Sequence, residues 1–325
     1  MTVPRLRFGV AHDFRCPPGS DYTLQDVYAQ TIEQVALLDG LGLDLVWFSE
    51  HHFVEDGYLP SFAPVAGAVA AVTSRVRIST NIALLPFAHP IRLAEDLAIL
   101  DQLSGGRMEL GIGLGYAPHE FRAFGFPRSR RVSLTEECVD ILRLAWSGES
   151  FGYDGKRYHF DAVRVTPDPV QPGGPPLWLA STSPASASRA VRYQTHLLPQ
   201  GVRTIVLDRW RDQTRAAGRD PDDYRIGIIR NVYVTDDRER DWPALREAER
   251  YRMRVYSRFF EEAGLTGTGT PFTEADRIPQ RTIIGDVDYC VDELVNFIRE
   301  YGLTDVVTWG SAPGVQPATL TPMME

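Results

Sequence analysis

Short apolar runs alternate with helix-period segments eight times along this chain, and that rhythm limits the folds open to it more than any other feature. Strand-like runs fall at residues 6–10, 43–48, 76–85, 108–114, 177–180, 196–198, 225–234 and 305–309. Helical periodicity fills 27–41, 62–72, 90–103, 134–146, 185–193, 204–217, 242–263 and 289–301. The run 43–48 (Leu-Asp-Leu-Val-Trp-Phe) is apolar at nearly every position, as a strand covered on both faces reads. Pro90 opens its helix at a tolerated early position, and Asp286 is placed to cap the last one. Eight βα units in 325 residues predict an α/β fold, a single (β/α)8 TIM barrel over residues 1–325. A doubly wound open sheet is the second choice. Two stretches break the rhythm and are expected as insertions. One follows helix 4, at 151–176, with a hairpin around Asp154-Gly155; the other follows strand 7.

Composition narrows the function classes. The formal charge of −9 argues against a nucleic-acid or anionic-membrane partner, because both need a basic face. Cys16, Cys138 and Cys290 lie far apart without metal-ligand spacing, as expected of reduced thiols in a cytoplasmic protein. The first ten residues carry no long apolar stretch, and no segment approaches the ~20 consecutive apolar residues of a membrane span.

Chemistry is expected at the C-terminal ends of barrel strands. Ser49-Glu50-His51-His52-Phe53 sits there, at the end of strand 2. Three adjacent titratable side chains suit a site better than a core, since unpaired buried charge is costly. An imidazole, with an unperturbed pKa of ~6.5, gives or takes a proton near neutrality. His51 is the candidate for that role, with Glu50 or His52 to orient it. Ser181, Thr182 and Ser183, ahead of Pro184 at a helix start, can bind an anionic phosphate or simply cap the helix. Gly111-Ile112-Gly113-Leu114-Gly115 lacks the spacing of a dinucleotide fingerprint; small residues under a ring explain it better. His12, at the end of strand 1, Tyr116 and Trp309 are candidate lining of a substrate cavity. His12-Asp13 together with Glu50, His51 and His52 also raises a metal-dependent barrel hydrolase, but the late strands offer no partner ligand, so no metal is assigned. The polar stretch from Glu261 to Arg281 is long enough to be a lid over the mouth.

Several blocks occur in a telling order: Glu50-His51-His52-Phe53, Ile78-Ser79-Thr80-Asn81-Ile82, Ala88-His89-Pro90, Leu100-Asp101-Gln102-Leu103-Ser104-Gly105-Gly106-Arg107 and Gly111 to Gly115. Together they resemble the bacterial luciferase-like flavin-dependent monooxygenases, closely over residues 5–147 and more loosely to the final strand. The resemblance implies a barrel with reduced FMN across its C-terminal mouth and His51 as the catalytic histidine, beside Glu50 and His52. It also implies a cis peptide at Asn81-Ile82 against the flavin ring, and a phosphate site at Ser181, Thr182 and Ser183 assisted by Arg131. Gly113 and Leu114 stand where luciferases carry a reactive cysteine and a phosphate-binding arginine, which argues against light emission.

The expected activity is oxygenation of a small organic substrate with molecular oxygen and reduced FMN from a separate flavin reductase, by a homodimer. The rivals are a deazaflavin-dependent hydride-transfer enzyme on the same barrel, a non-catalytic flavin-binding protein and the metal hydrolase.

Overall fold

The computed structural model describes residues 5–199, 204–265 and 282–324. In chain order the first half runs β1 (Arg7–His12), α1 (Leu24–Leu41), β2 (Leu45–Phe48), α2 (Phe62–Val72), β3 (Arg77–Thr80), β4 (Ala83–Leu84), α3 (Pro90–Ser104), β5 (Leu110–Gly113), α4 (Pro118–Ala123) and α5 (Arg131–Ala145). The middle carries β6 (Phe151–Asp154), β7 (His159–Val163), β8 (Leu177–Ser181), α6 (Pro184–Arg192), β9 (His196–Pro199) and α7 (Thr204–Ala216). The last part comprises β10 (Gly227–Ile229), β11 (Asn231–Val234), α8 (Arg238–Glu262), β12 (Thr282–Gly285), α9 (Val287–Tyr301), β13 (Asp305–Trp309) and α10 (Pro317–Leu320).

The strands close on themselves. One parallel run reads β10-β13-β1-β2-β3 and another β4-β5-β8-β9. Parallel bridges Ile78–Met108 and Leu197–Ile226 join the two runs at both seams. Counting β3 with β4 and β10 with β11 as single staves gives the (β/α)8 barrel that the alternation predicts.

Side-chain alternation sorts the staves into an inner and an outer face. Ala11, Leu45, Trp47, Trp178, Leu198, Val307 and Trp309 form the inner core, with Ile82 and Ile229 packed against it. Val10, Val46, Phe48 and Ile78 point the other way, into the layer under the helices. The lower end of the lumen is polar. Arg7 bonds Glu109 at 2.8 Å and Asp305 at 2.5 Å, Arg77 also pairs with Glu109, and Trp178 Nε1 donates to Glu109 at 2.8 Å. Burial opposes the Glu109 charge, but Arg7 and Arg77 outweigh it and hold the carboxyl at about 2. That end is a sealed plug, so chemistry is left to the opposite mouth.

Two predicted strands are broken. Residues 76–85 contain β3 and β4, interrupted at Asn81-Ile82, whose peptide is cis as the resemblance implies. There Asn81 N–H donates to Phe48 O at 2.8 Å and Ser49 Oγ donates to Asn81 O at 2.7 Å. Residues 225–234 split at Arg230, whose N–H makes the last ladder bond to β13, at Val307 O (2.7 Å). Beyond the break β11 pairs in parallel with β12, a strand that sequence periodicity did not mark. The region after helix 4 holds the β6–β7 hairpin. Most of the expected lid, beyond Leu265, lies outside the described residues. Among the described residues no helix is long and apolar enough to cross a membrane.

Candidate active site

The chain leaves β2 through Ser49 and then deals its polar side chains to different sides. Phe53 adopts φ 59°, a left-handed conformation uncommon for a bulky residue, and the loop turns there. His51 points under α8. Its Nδ1 lies 2.9 Å from Glu120 Oε1 on α4, and the same oxygen accepts His52 N–H at 2.9 Å. Tyr58 and Tyr116 meet the His51 ring edge-on at 4.9 and 5.7 Å, with Tyr256 at 5.9 Å and Phe259 at 5.1 Å. His52 turns the opposite way. Its Nε2 pairs with Glu50 Oε1 at 2.9 Å, and its ring packs edge-on against Phe87 and Phe124 at 5.7 and 4.8 Å.

This corrects one expectation. Glu50 and His52 do not orient His51; they pair with each other and line a separate cleft of about 220 Å³ beneath α2 and α3. The orienting group is Glu120, fully buried with Oε2 unpartnered among the described residues. A carboxylate accepts only, so Nδ1 carries the proton and Nε2 presents the lone pair. Sequence periodicity missed Glu120 because α4 has only six residues. The available signal was local: Pro118 followed two residues on by an acid marks a helix start.

The helix after strand 7 forms the roof. Tyr256 Oη and Tyr58 Oη are 2.8 Å apart, Tyr116 stacks on Phe260 at 5.2 Å, and the Tyr116 hydroxyl is buried without a partner among the described residues. Burial, reinforced by Tyr256 and Asp13, raises the Tyr58 phenol well above its usual range, so it stays protonated. The far end of α8 is tied down by Glu262, which takes His119 at 2.8 Å and Arg122 at 2.5 Å. Deeper in the mouth, Arg15 pairs with Asp56 at 2.7 Å and Arg252 lies over Trp309 at 4.2 Å. Trp309 is thus part of the floor, packed in the inner core and roofed by a guanidinium.

His12 does not line the cavity. It shares the outward parity of Val10, and a Cβ on Gly310 would stand 2.4 Å from its ring and 2.9 Å from Gln34 Oε1 on α1. The ring is wholly buried beside α1 with neither nitrogen bonded among the described residues, and burial lowers its proton affinity to about 3.

A Cβ at Gly113 would come within 1.8 Å of Ile82 Cδ1, and one at Gly111 within 1.9 Å of Thr80 O. Glycine at these two places lets the strand-4 stave pass against the cis step. Ser183 is committed to capping α6: its side chain accepts Ser186 N–H, while Ser186 Oγ accepts the N–H groups of Thr182 and Ser183. The buried Ser181 hydroxyl has no partner among the described residues. Arg131, at the start of α5, is lowered first by burial and then by repulsion from Arg128 and from Arg189 of α6, and it has no ion pair among the described residues. An orphaned hydroxyl just ahead of the α6 start and a guanidinium without an acidic partner are groups that could take a phosphate tail. Among the described residues no cluster of His, Cys, Asp and Glu could hold a metal ion.

With this geometry in place, similarity to known proteins becomes interpretable. The profile of the luciferase-like monooxygenases matches residues 6–305. The chain belongs to that family. It is 30% identical over 180 residues to an alkanal monooxygenase alpha chain from Photorhabdus laumondii, covering 54% of this chain and 49% of that one. It is 26% identical over 254 residues to the oxygenase component of a flavin-dependent trigonelline monooxygenase from Acinetobacter baylyi, covering 73% and 66%. The chain spans about half the length of most curated relatives it matches best. Among solved structures, the monooxygenase RslO1 from Streptomyces bottropensis superposes with a TM-score of 0.81 at 25% identity, covering 98% of this family member and 96% of RslO1. An FMN complex of the oxygenating constituent of 3,6-diketocamphane monooxygenase from Pseudomonas putida gives 0.81 at 19%, over 98% and 95%. An F420-dependent secondary alcohol dehydrogenase gives 0.75 at 20%, over 99% of both chains. The last two likenesses speak to the fold alone.

Proposed function

We propose that this luciferase-like chain is the oxygenase half of a two-component system. It takes up reduced FMN from a separate flavin reductase and, with molecular oxygen, adds one oxygen atom to a small organic substrate. The observation that carries the reading is the His51–Glu120 pair, walled by aromatic rings at the C-terminal mouth of the barrel. The oxygenase-component relative supports the division of labour.

When bound, reduced flavin supplies the electrons that activate oxygen. The protein's residues do the rest. Ser181 and Arg131 would hold the phosphate tail, and Asn81, Ile82 and Gly113 would form the surface on which the ring lies. Glu120 holds His51 through Nδ1 and leaves Nε2 to hold or move one proton. Tyr58, Tyr116, Tyr256 and Phe259 keep water from that nitrogen. Tyr116 remains a candidate for substrate contact. The assembly is proposed to be a homodimer, and a monomeric mass by light scattering at micromolar concentration would refute that.

Anaerobic titration with reduced FMN and with a reduced deazaflavin tests the cofactor assignment. Tighter binding of reduced FMN, and oxygen uptake only when a reductase and NADH are both present, are expected. NADH oxidation by the purified protein alone would overturn the two-component reading. Deazaflavin binding without oxygen uptake would move the chain to hydride transfer. Loss of activity with a chelator would revive the metal hydrolase.

A further inference from the structure

Arg252 interrupts the apolar stripe of α8 at its middle. Leu245, Ala248, Val255 and Phe259 are buried along one face of that helix, and Arg252 lies buried among them at 2% exposure. The guanidinium reaches two staves directly and a third through Glu249. Nη2 donates to Ser311 O at 2.8 Å, just past β13, and Nε faces Asp13 Oδ2 at 3.4 Å, just past β1. Nη1 donates to Glu249, which also accepts Tyr233 Oη of β11 at 2.9 Å. Asp13 in turn accepts the Ser311 hydroxyl at 3.2 Å. Burial works against the Arg252 charge, but Glu249 and Asp13 more than restore it, and its proton is held more tightly than usual.

Such a buried set contributes little net stability over a well-packed apolar one, yet it is directional. Leu, Val and Phe on a helix face tolerate a small rotation or slide. Arg252 does not, because turning α8 by one residue (about 100°) would strand several buried charges without partners. Positions 252, 256 and 259 are spaced i, i+4 and i+7, so whatever fixes the first aims the other two.

We infer that Arg252 is a positioning residue that sets the rotation and register of α8 on the barrel mouth, so that Tyr256 and Phe259 stand against His51. The inference rests on reading the His51 compartment as the active site, but its geometry is present in the protein without ligand. Among the described contacts of α8, the Arg252 set is the one that joins its middle to the ends of β1 and β13. Its N-terminal half is held by the apolar contacts of Leu245 and Ala248 with Ile284, Ala312 and Leu320, and its C-terminal end by the half-exposed Glu262.

The test uses the full chain without added flavin. His51 modification by diethyl pyrocarbonate is followed by mass spectrometry with His52 as internal reference, beside amide hydrogen exchange over residues 251–262 and the melting temperature. In the charge-free variant Asp13→Asn/Glu249→Gln/Arg252→Met, His51 is expected to react about 10-fold faster or more relative to His52. Amides of 251–262 exchange faster, while the melting temperature moves by only a few degrees. Arg252→Lys, which keeps the charge but loses the planar fork, should fall between the variant and the wild type. Unchanged His51 reactivity and exchange in the charge-free variant overturn the inference. If that variant does not fold, Asp13→Asn alone decides: His51 reactivity should rise a few-fold, and wild-type reactivity refutes the role. A wild type that fails to bind reduced FMN sinks the proposed function and leaves this result standing. A wild type that binds it while His51 stays protected in the variant sinks the register inference alone.

Discussion

His51 and His52 are chain neighbours with opposite surroundings. His51 meets a carboxylate from α4 and four aromatic rings, two of them delivered by α8. His52 meets Glu50 from its own loop and the phenylalanines of a cleft facing α2 and α3. Both imidazoles are buried and both are paired with a glutamate. The difference lies in who supplies the partners. The His51 ring takes its carboxylate and three of its four aromatic neighbours from the distant stretches 116–120 and 256–259, whereas the His52 ring takes its carboxylate from Glu50, two residues away. Convergence of distant elements on one nitrogen is how a scaffold builds a reactive site; local pairing is how it satisfies a polar group.

Substitutions can break this contrast. The largest effect is expected for His51→Ala, which should lower product formation by about 10²-fold or more while reduced FMN remains bound. Single-turnover oxidation with preloaded reduced flavin measures it, and wild-type product yield would transfer the role to another residue. Glu120→Gln should come next, at about 10-fold, because an amide can donate as well as accept and no longer fixes the tautomer. Its signature is an altered pH–rate profile with unchanged flavin affinity; an unchanged profile would make Glu120 a mere backbone prop.

His52→Ala should leave turnover per folded molecule within about 3-fold and cost roughly 1 kcal/mol of stability, the usual worth of one buried hydrogen bond. Urea unfolding reads the second number, and a hundredfold drop in turnover would erase the proposed distinction. The smallest effect on turnover belongs to His12, which faces α1. Its folded proton affinity is lowered from 6.5 to about 3, so the unfolded chain binds the extra proton between those values. Folding stability therefore falls as pH drops from about 6.5 toward 3, by at most about 1.4 kcal/mol per pH unit. Unfolding midpoints of His12→Leu should be flatter across that window than those of the wild type, with equal turnover at pH 7.

The barrel was legible because its periodicities are long and its staves apolar, as in residues 43–48 and 305–309. The breaks at Asn81-Ile82 and Arg230 were not visible as breaks, since the residues on both sides keep strand-like composition. At the site, composition pointed to Glu50, His51 and His52 together. What composition cannot give is direction: His51 faces Glu120 on α4, while His52 faces Glu50 and the phenylalanine cleft. Arg15 and Arg252 were missed because each is an ordinary charged residue until the barrel closes and brings the ends of strands 1 and 8 under α8, where both face Asp13. Ser183 was undecided between capping and phosphate binding, which use the same donors, and here it caps α6 reciprocally with Ser186.

One oxygen atom, Oε1 of Glu120, receives both the His51 ring and the backbone N–H of His52. For anyone wishing to redirect this protein to new substrates, that shared atom divides the positions into two kinds. Residues 116, 256 and 259 touch the imidazole only with their side chains, so a library can vary them and reshape the chamber while the loop stays put. Position 120 governs at once where the base points and how the loop between the two histidines is laid down. A change there would confound a new pocket with a new backbone, and a combinatorial search is best run with it held constant.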